Sequence, residues 1–301
     1  MIITHTLSIE TKIGAAIALG TFDGLHLGHK AVLTAALSSG YTPTVVTFDV
    51  HPRTILQHEQ PPMLLTERDK SRMLAQMGFE AEILLDFSSI KDLQPLAFLD
   101  SIRSAIPVRF FSCGYNYRFG KEGEGDATLL QEYGKKHNIG VYVSPAVEID
   151  GNPVSSTRIR ALLRDGDAEG AARLLGRNFS YCLQVVDGDQ RGRTIGFPTI
   201  NQILPQELIH PRFGVYVSRT EIDGVLYPSV TNVGIRPTYL TDKALSETHI
   251  IGYTGNLYGR CLHVELLHFL RNEKKFDSLE ELKNTISQNL HDSLYYMEHH
   301  E

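Results

Sequence analysis

The sequence predicts an α/β protein of two domains, a parallel sheet wrapped by helices followed by a small antiparallel β-barrel with a closing helix. Three observations carry this prediction. Up to residue 177, apolar runs alternate with amphipathic helical stretches, the pattern of a parallel sheet covered on both faces. From residue 178, short alternating runs are punctuated by Gly, Asn, Asp and Pro, the spacing of a small barrel. The chain then ends in a long helical pattern. Ser278 and Glu281 form its capping box, and Leu279, Leu282, Ile286, Leu290 and Leu294 line one face. No repeat or low-complexity linker intervenes, so the domains are placed at 1–177 and 178–301.

Of the 301 residues, 42% are hydrophobic and 21% charged, enough apolar material for two ordinary cores. The net charge of −6 argues against a general nucleic-acid surface, which needs a basic excess to neutralise phosphates. Cys113, Cys182 and Cys261 are far apart, odd in number and form no CxxC pair, which predicts buried thiols in a reducing compartment. The first residues lack a basic region followed by a long apolar run, and no stretch approaches a membrane span. The expectation is a cytoplasmic protein acting on small molecules, monomeric or weakly homo-oligomeric.

In the first half, strands are expected at Ala15–Leu19, 44–48, 80–86, 108–113 and 141–143. Helices are expected around 67–77, 95–104 and 126–137, and a further one over 160–175 stops at Gly176. In the second half, strands are expected at 181–186, 214–219, 227–233, 248–253 and 263–270. Ligands of a parallel sheet bind beyond the carboxyl ends of its strands. The loops after the first, second and fourth strands should therefore meet there.

The loop after the first strand reads Gly20-Thr21-Phe22-Asp23-Gly24-Leu25-His26-Leu27-Gly28-His29 and runs into a helix. A helix start offers unpaired N–H groups and a partial positive charge, and Gly28 permits close approach of a phosphate. His26 and His29 are three residues apart, so their imidazoles share a face and can donate to phosphate oxygens as charge develops. His51 lies in the turn after the second strand, and Asn116 and Tyr117 lie in the loop after the fourth. Ser155, Ser156 and Thr157 suit the cap of a helix start, where Arg158 can hold phosphate in a fork of donors.

His-x-Gly-His in this setting resembles the signature of the nucleotidylyltransferase superfamily, which splits ATP between its α- and β-phosphates. Together with Leu65-Thr66 to Lys70, the 114–120 loop and the stretch from Ser155 to Arg160, it resembles the FMN adenylyltransferase module of the prokaryotic bifunctional riboflavin kinase/FAD synthetase family. The family's Phe-x-Pro-His-Pro stands here as Phe48-Asp49-Val50-His51-Pro52, with Val50 replacing the first proline. The resemblance implies catalytic roles for His26, His29, Asn116 and Arg158. It also implies nucleotide and flavin contacts from Gly20, Phe22, Gly28, His51, Tyr117, Ser155, Ser156 and Thr157.

In the second half, Gly192-Arg193-Thr194-Ile195-Gly196-Phe197-Pro198-Thr199-Ile200-Asn201 carries two glycines that let a loop fold around phosphates. Thr199 and Asn201 present neutral oxygens two residues apart, suited to Mg²⁺ shared with substrate phosphates. No GxxxxGK[ST] occurs, which excludes an ordinary P-loop. Glu247 follows an Asn232-Val233-Gly234-Ile235-Arg236-Pro237-Thr238 turn. Alone it is an ordinary solvated strand residue, though a carboxylate beside an acceptor hydroxyl can take its proton. These segments, with the run from Leu270 to Phe276, resemble the riboflavin kinase module of the same family. The resemblance implies that Thr199 and Asn201 bind Mg-ATP within the loop formed by Gly192, Arg193, Gly196 and Pro198. It further implies that Glu247 is the catalytic base and that Arg271 holds flavin. Leu183 stands where a glycine is usual, and Gly252 where a small polar or acidic residue is.

The implied activity is phosphorylation of riboflavin to FMN, then adenylylation of FMN to FAD, with ATP as co-substrate and Mg²⁺ as cofactor. Two rivals are an adenylyltransferase for another phosphorylated acceptor and a flavin-sensing regulator acting on nucleic acid. The acidic balance and the retained Glu247, His26 and His29 argue against the regulator.

Overall fold

The unbroken apolar run Ala15–Leu19 becomes an inner strand of a parallel sheet, with all five side chains buried, as expected of a strand covered on both faces. The computed structural model describes residues 1–188, 191–238 and 241–300. They fall into two units, Met1–Pro61 with Glu67–Ser156, and Pro62–Thr66 with Thr157–Glu301.

The first unit runs β1 (Ile2–Thr4), β2 (Ala15–Leu19), α1 (Leu27–Leu37), β3 (Thr42–Phe48), α2 (Pro52–Gln57), α3 (Glu67–Met77), β4 (Ala81–Leu85), α4 (Phe87–Ile90), α5 (Pro95–Ala105), β5 (Val108–Gly114), α6 (Ala127–His137) and β6 (Gly140–Ser144), ending in the short hairpin β7 (Glu148–Ile149) and β8 (Asn152–Pro153). Six strands pair in parallel in the order β1-β4-β3-β2-β5-β6. From β2 the chain winds one way through β3 and β4, then returns to the other side through β5 and β6. The switch therefore lies between β2 and β5. Ile17 and Leu19 of β2, Phe98, Leu99 and Ile102 of α5, and Leu130 and Tyr133 of α6 share one core. Edge strand β1 and the short helices α2 and α4 lie outside the sequence reading, being too brief to show a period. Lys70 and Glu82 are both buried and 3.9 Å apart, near the amino end of β4, away from the loops that carry the expected chemistry.

The second unit runs α7 (Ser156–Asp165), α8 (Ala168–Leu175), β9 (Phe179–Val186), α9 (Arg191–Thr194), β10 (Ile200–Ile203), β11 (Gly214–Ile222), β12 (Val225–Thr238), β13 (Thr241–Ile250), β14 (Cys261–Arg271) and α10 (Leu279–His300). Its strands close a six-stranded antiparallel barrel in the order β10-β13-β12-β11-β14-β9. Alternate residues point inward, and many of them are hydroxyl-bearing: Ser218, Thr220, Ser229, Thr231, Ser246 and Thr248 are all fully buried. Ser218 Oγ and Thr248 Oγ1 each lie 2.8 Å from Thr231 Oγ1, and Tyr181 Oη lies 2.6 Å from Ser246 Oγ.

Four expectations are corrected. The helix over 160–175 is two helices, because Gly166 turns into the left-handed region (φ 87°) and Asp167 caps a new start by accepting from Gly170 N. The stretch 232–238 is not a turn but the end of β12, with the side chains from Arg236 to Thr238 outside the described residues. Only Cys113 is buried; Cys182 and Cys261 occupy outward positions of β9 and β14. The buried residues of α10 are Asn289 and Ser293; of the expected stripe Leu282, Ile286 and Leu290 are half-buried, while Leu279 and Leu294 are 56% and 40% exposed. The helix meets the barrel through polar contacts, Arg271 Nε donating to Asn289 Oδ1 at 3.2 Å and Ser293 Oγ to the Ser229 carbonyl at 3.1 Å.

Helices α7 and α8 group with the barrel. Ala171, Leu174 and Leu175 are buried where α8 packs on β9 and β14, and Glu169 accepts from Tyr296 Oη at 3.0 Å. Arg212 binds the Asp165 and Leu163 carbonyls through its side chain and its backbone N–H. A fragment beginning at Thr157 should therefore unfold at a higher temperature than one beginning at Arg177, by several degrees or more, since each kcal/mol shifts a domain of this size by about 2–4 °C. Thermal unfolding of the two fragments followed by circular dichroism checks this, and equal midpoints would refute it.

Candidate active sites

The β2–α1 loop of the first unit follows an uncommon backbone path. Phe22, Gly24 and Leu25 all take positive φ, at 52°, 85° and 45°. Such conformations cost non-glycine residues energy, and here burial of the Phe22 and Leu25 side chains offsets it. The loop ends at His26, which caps α1 through its side chain: Nδ1 accepts from His29 N at 3.2 Å. That bond leaves the ring proton on Nε2. The two imidazoles stack, with centroids 3.6 Å apart and planes 17° off parallel, and the Phe22 ring meets His29 edge-on. Gly28 gives this stack room, since a Cβ there would lie 3.1 Å from His26 Cε1. A Cβ at Gly20 would similarly press on the Phe22 ring, at 3.0 Å.

Burial first, and the neighbouring His26 second, hold the His29 imidazole well below its ordinary value of 6.5. Its Nδ1 is buried without a hydrogen-bond partner. The site thus presents a neutral imidazole with one buried ring nitrogen left without a hydrogen-bond partner.

The other expected groups of this unit gather at the carboxyl ends of neighbouring strands. His51 follows β3 and caps α2, Nδ1 accepting from Arg53 N at 3.2 Å with Pro52 at the first helical position. Where Val50 replaces proline, Asp49 Oδ1 accepts from Val50 N at 2.7 Å, a restraint that proline, lacking the N–H, cannot make. Asn116 and Tyr117 follow β5, across the switch from β2. Asn116 is exposed, and Gly114 gives its amide room. Tyr117 stacks on Phe119 and packs against the core, its hydroxyl pushed up by burial and by Cys113. Ser156 Oγ donates to the Asp23 carbonyl at 2.9 Å, and Ser155 is half-buried. Thr157 and Arg158 belong to the second unit.

In the barrel, register does what sequence distance conceals. Asn201 of β10 pairs with Glu247 of β13, Glu247 pairs with Asn232 of β12, Asn232 with Val215 of β11, and Val215 with Arg271 of β14. Paired residues share a face, so Asn201, Glu247, Asn232 and Arg271 form one lateral row on the outside of the barrel. Asn201 is 5% exposed with Oδ1 lacking a partner, and its amide occupies space that a side chain at Gly188 would take. Burial lowers the Arg271 guanidinium, against the opposing effect of Glu273.

The loop before β10 closes on itself. Gly192 accepts from Phe197 N at 2.8 Å, Gly196 adopts φ 92°, and His249 Nδ1 donates to the exposed Pro198 carbonyl at 2.7 Å. The Arg193 side chain lies outside the described residues. Beside the loop, Thr199 lines a cavity of about 230 Å³ with Val185, Ile250, Tyr253, Leu257 and Tyr258. Of the two further departures, Leu183 uses its carbonyl to accept from Gln202 Nε2, and Gly252 supplies a left-handed turn (φ 77°) after β13. Asn232 is the residue the sequence did not single out. It reads as the start of a turn, and only strand register brings it beside Glu247.

The chain matches the family described as FAD synthetase over residues 8–158 and the family described as Riboflavin kinase over residues 175–296. It is similar to the bifunctional riboflavin kinase/FMN adenylyltransferase of Listeria monocytogenes, 34% identical over 280 residues, covering 90% of this chain and 89% of that one. The protein of the same description from Pseudomonas fluorescens is 35% identical over 290 residues, covering 94% and 93%. A solved structure titled a macrolide-efflux protein, from Streptococcus pneumoniae, has a TM-score of 0.88 at 30% identity, covering 97% of this chain and 98% of that one. Among the described residues here, no helix is long and apolar enough to cross a membrane.

The lowered His29 value has a pH consequence. The unfolded chain takes up this proton first as pH falls, so the contribution is present above about 6.5 and is lost as pH drops through the folded-state value. NMR titration of the ring should find His29 still neutral at about pH 6, where an ordinary histidine is mostly charged. A ring titrating at 6.5 or above would overturn the buried, neutral state.

Proposed function

Because the chain belongs to the bifunctional riboflavin kinase/FMN adenylyltransferase family, we propose that its barrel runs the first of two transfers and its parallel sheet the second, with the residues described above. The chain phosphorylates riboflavin to FMN with ATP, then adenylylates FMN to FAD with release of pyrophosphate. The observation that carries the assignment of residues is the row Asn201–Glu247–Asn232, a carboxylate flanked by two amides on the outer face of the barrel.

In the kinase step, Glu247 takes the proton of the terminal ribityl hydroxyl as that oxygen attacks the γ-phosphorus of ATP, whose bond to the β,γ-bridging oxygen breaks and releases ADP. The cavity receives the base of ATP, and the 192–198 loop encloses its phosphates. The buried, unpartnered Asn201 Oδ1 and the Thr199 hydroxyl fit Mg²⁺, which favours neutral oxygens together with substrate phosphates. When bound, the ion neutralises charge on the phosphates. Arg271, turned toward Asn289 and the Asn272 carbonyl, supports the flavin side.

In the adenylyl step, an FMN phosphate oxygen attacks the α-phosphorus of a second ATP and pyrophosphate leaves. No covalent enzyme intermediate is required; orientation and charge stabilisation suffice. His26 donates from Nε2, and His29 supplies a second imidazole whose desolvation an anion relieves. Asn116 and Arg158 contribute further donors, while His51, Tyr117, Ser155, Ser156 and Thr157 bound the substrates. All the groups assigned to the kinase step lie within 178–301, and we take that as the functional boundary. We place the enzyme in the cytoplasm, as a monomer or weak homo-oligomer with small-molecule partners; the acidic net charge of −6 supports the absence of nucleic acid.

Chromatography of products from riboflavin and Mg-ATP tests the pair of sites reciprocally. His29→Ala should accumulate FMN while FAD formation falls by roughly 10²-fold or more, the scale for one transition-state donor. Glu247→Gln should lower FMN formation by roughly 10²–10⁴-fold, as for a lost general base, yet leave FAD synthesis from supplied FMN near normal. If either change abolished both activities in a folded protein, the division into two sites would fall.

A further inference from the structure

We propose that Asn232 is a specificity-determining residue of the kinase step, reading the hydroxyls of the polyol acceptor, and that Glu273 is its positioning residue. The proposal rests on the kinase reading above and adds the acceptor side to it.

Asn232 and Glu247 are direct cross-strand partners on the outer face of the barrel, which places their Cβ atoms about 4.5–5.5 Å apart. The Asn232 amide is oriented by chemistry: its Nδ2 donates to Glu273 Oε1 at 3.1 Å, and a carboxylate can only accept. The other edge of the amide must therefore be the oxygen. That Oδ1 is buried and has no hydrogen-bond partner, a cost that a bound donor removes.

Glu273 approaches from a defined side. It follows β14, and in the barrel order β13-β12-β11-β14 this lies on the flank of Asn232 opposite Glu247. Its seat is built in, since a side chain at Gly234, two residues along the same face of β12, would overlap its carboxylate. With Nδ2 drawn toward β14, Oδ1 is left on the Glu247 side. Two acceptors on adjacent strands, one a carboxylate and one an amide oxygen, match the hydroxyl donors of a contiguous polyol. Asn201, on the other flank of Glu247, is taken by the metal–nucleotide side, so the polyol is left the flank of Asn232.

The test uses the full chain and follows FMN formation. The KM for riboflavin and for Mg-ATP are measured, together with the inhibition constant of lumiflavin, which carries the flavin ring without the ribityl chain. Asn232→Leu should raise the riboflavin KM on the order of 10-fold, the scale of one neutral hydrogen bond, and leave the lumiflavin and Mg-ATP values unchanged. Glu273→Gln should move the riboflavin value in the same direction by less, because a glutamine can pair with either edge of the amide. Should Asn232→Leu not fold by thermal unfolding, Glu273→Gln is judged by the same riboflavin-to-lumiflavin ratio. Equal loss of riboflavin and lumiflavin would show a merely structural role. A rise confined to Mg-ATP would assign Oδ1 to the metal, and no change in any constant would remove Asn232 from the site; each of these overturns the proposal. A wild-type chain that makes no FMN would instead overturn the kinase reading itself.

Discussion

The second unit depends on strand register, and register is held from inside the barrel. The inward faces of β11, β12 and β13 carry Ser218, Thr220, Ser229, Thr231, Ser246 and Thr248, whose hydroxyls bond to one another or to Tyr181. Gln202 adds two bonds, to the Leu183 and Leu262 carbonyls. Each neutral bond contributes only about 1 kcal/mol, but each buried hydroxyl left unpaired costs as much or more. A slip of one residue would turn the ladder toward water and send Glu247 and Asn232 into the interior. The interior polar network thus determines which carboxylate and amides meet on the outside. An all-aliphatic interior would seal the barrel as well without specifying the row so sharply.

The first unit reaches a comparable end by another route. Its constraint is the loop between β2 and α1, where two large apolar side chains in left-handed conformations are pinned by burial. The path they impose brings His26 to the helix start with its ring folded over Gly28, and that ring in turn stacks on His29. The neutral state of His29 follows from this packing, since both the low dielectric and the adjacent imidazole oppose its charge. Both sites therefore rely on buried neutral groups whose hydrogen bonds are incomplete: His29 Nδ1 in one, Asn201 and Asn232 Oδ1 in the other. Such groups keep their desolvation cost until a hydrogen-bonding partner arrives.

Most of the architecture was legible in the residues. Apolar continuity marked β2, amphipathic periods marked α3, α5 and α6, and the change in spacing near residue 178 marked the barrel. The family was legible too, because the motifs of both halves stand in the order of the two families that the chain matches. What failed had local causes. A three-residue strand such as β1 has no period to detect, and Gly166 broke a helix whose composition remained helical on both sides. On α10 the expected stripe holds at its centre, where Leu282, Ile286 and Leu290 are half-buried, but Asn289 and Ser293 are buried by polar contacts with the barrel that no apolar period announces.

By itself, then, the sequence determined the fold class, the order of the elements and which residue types could carry phosphate chemistry, since these follow from local periodicity and side-chain chemistry. It could not determine that Gly28 makes room for an imidazole, that His29 is held neutral, or that Asn232 stands beside Glu247. Those are properties of contacts between segments, and Glu247 lies 46 residues from Asn201, its pairing partner. Only closure of the barrel, with its interior hydroxyls paired, decides which outward residues become neighbours.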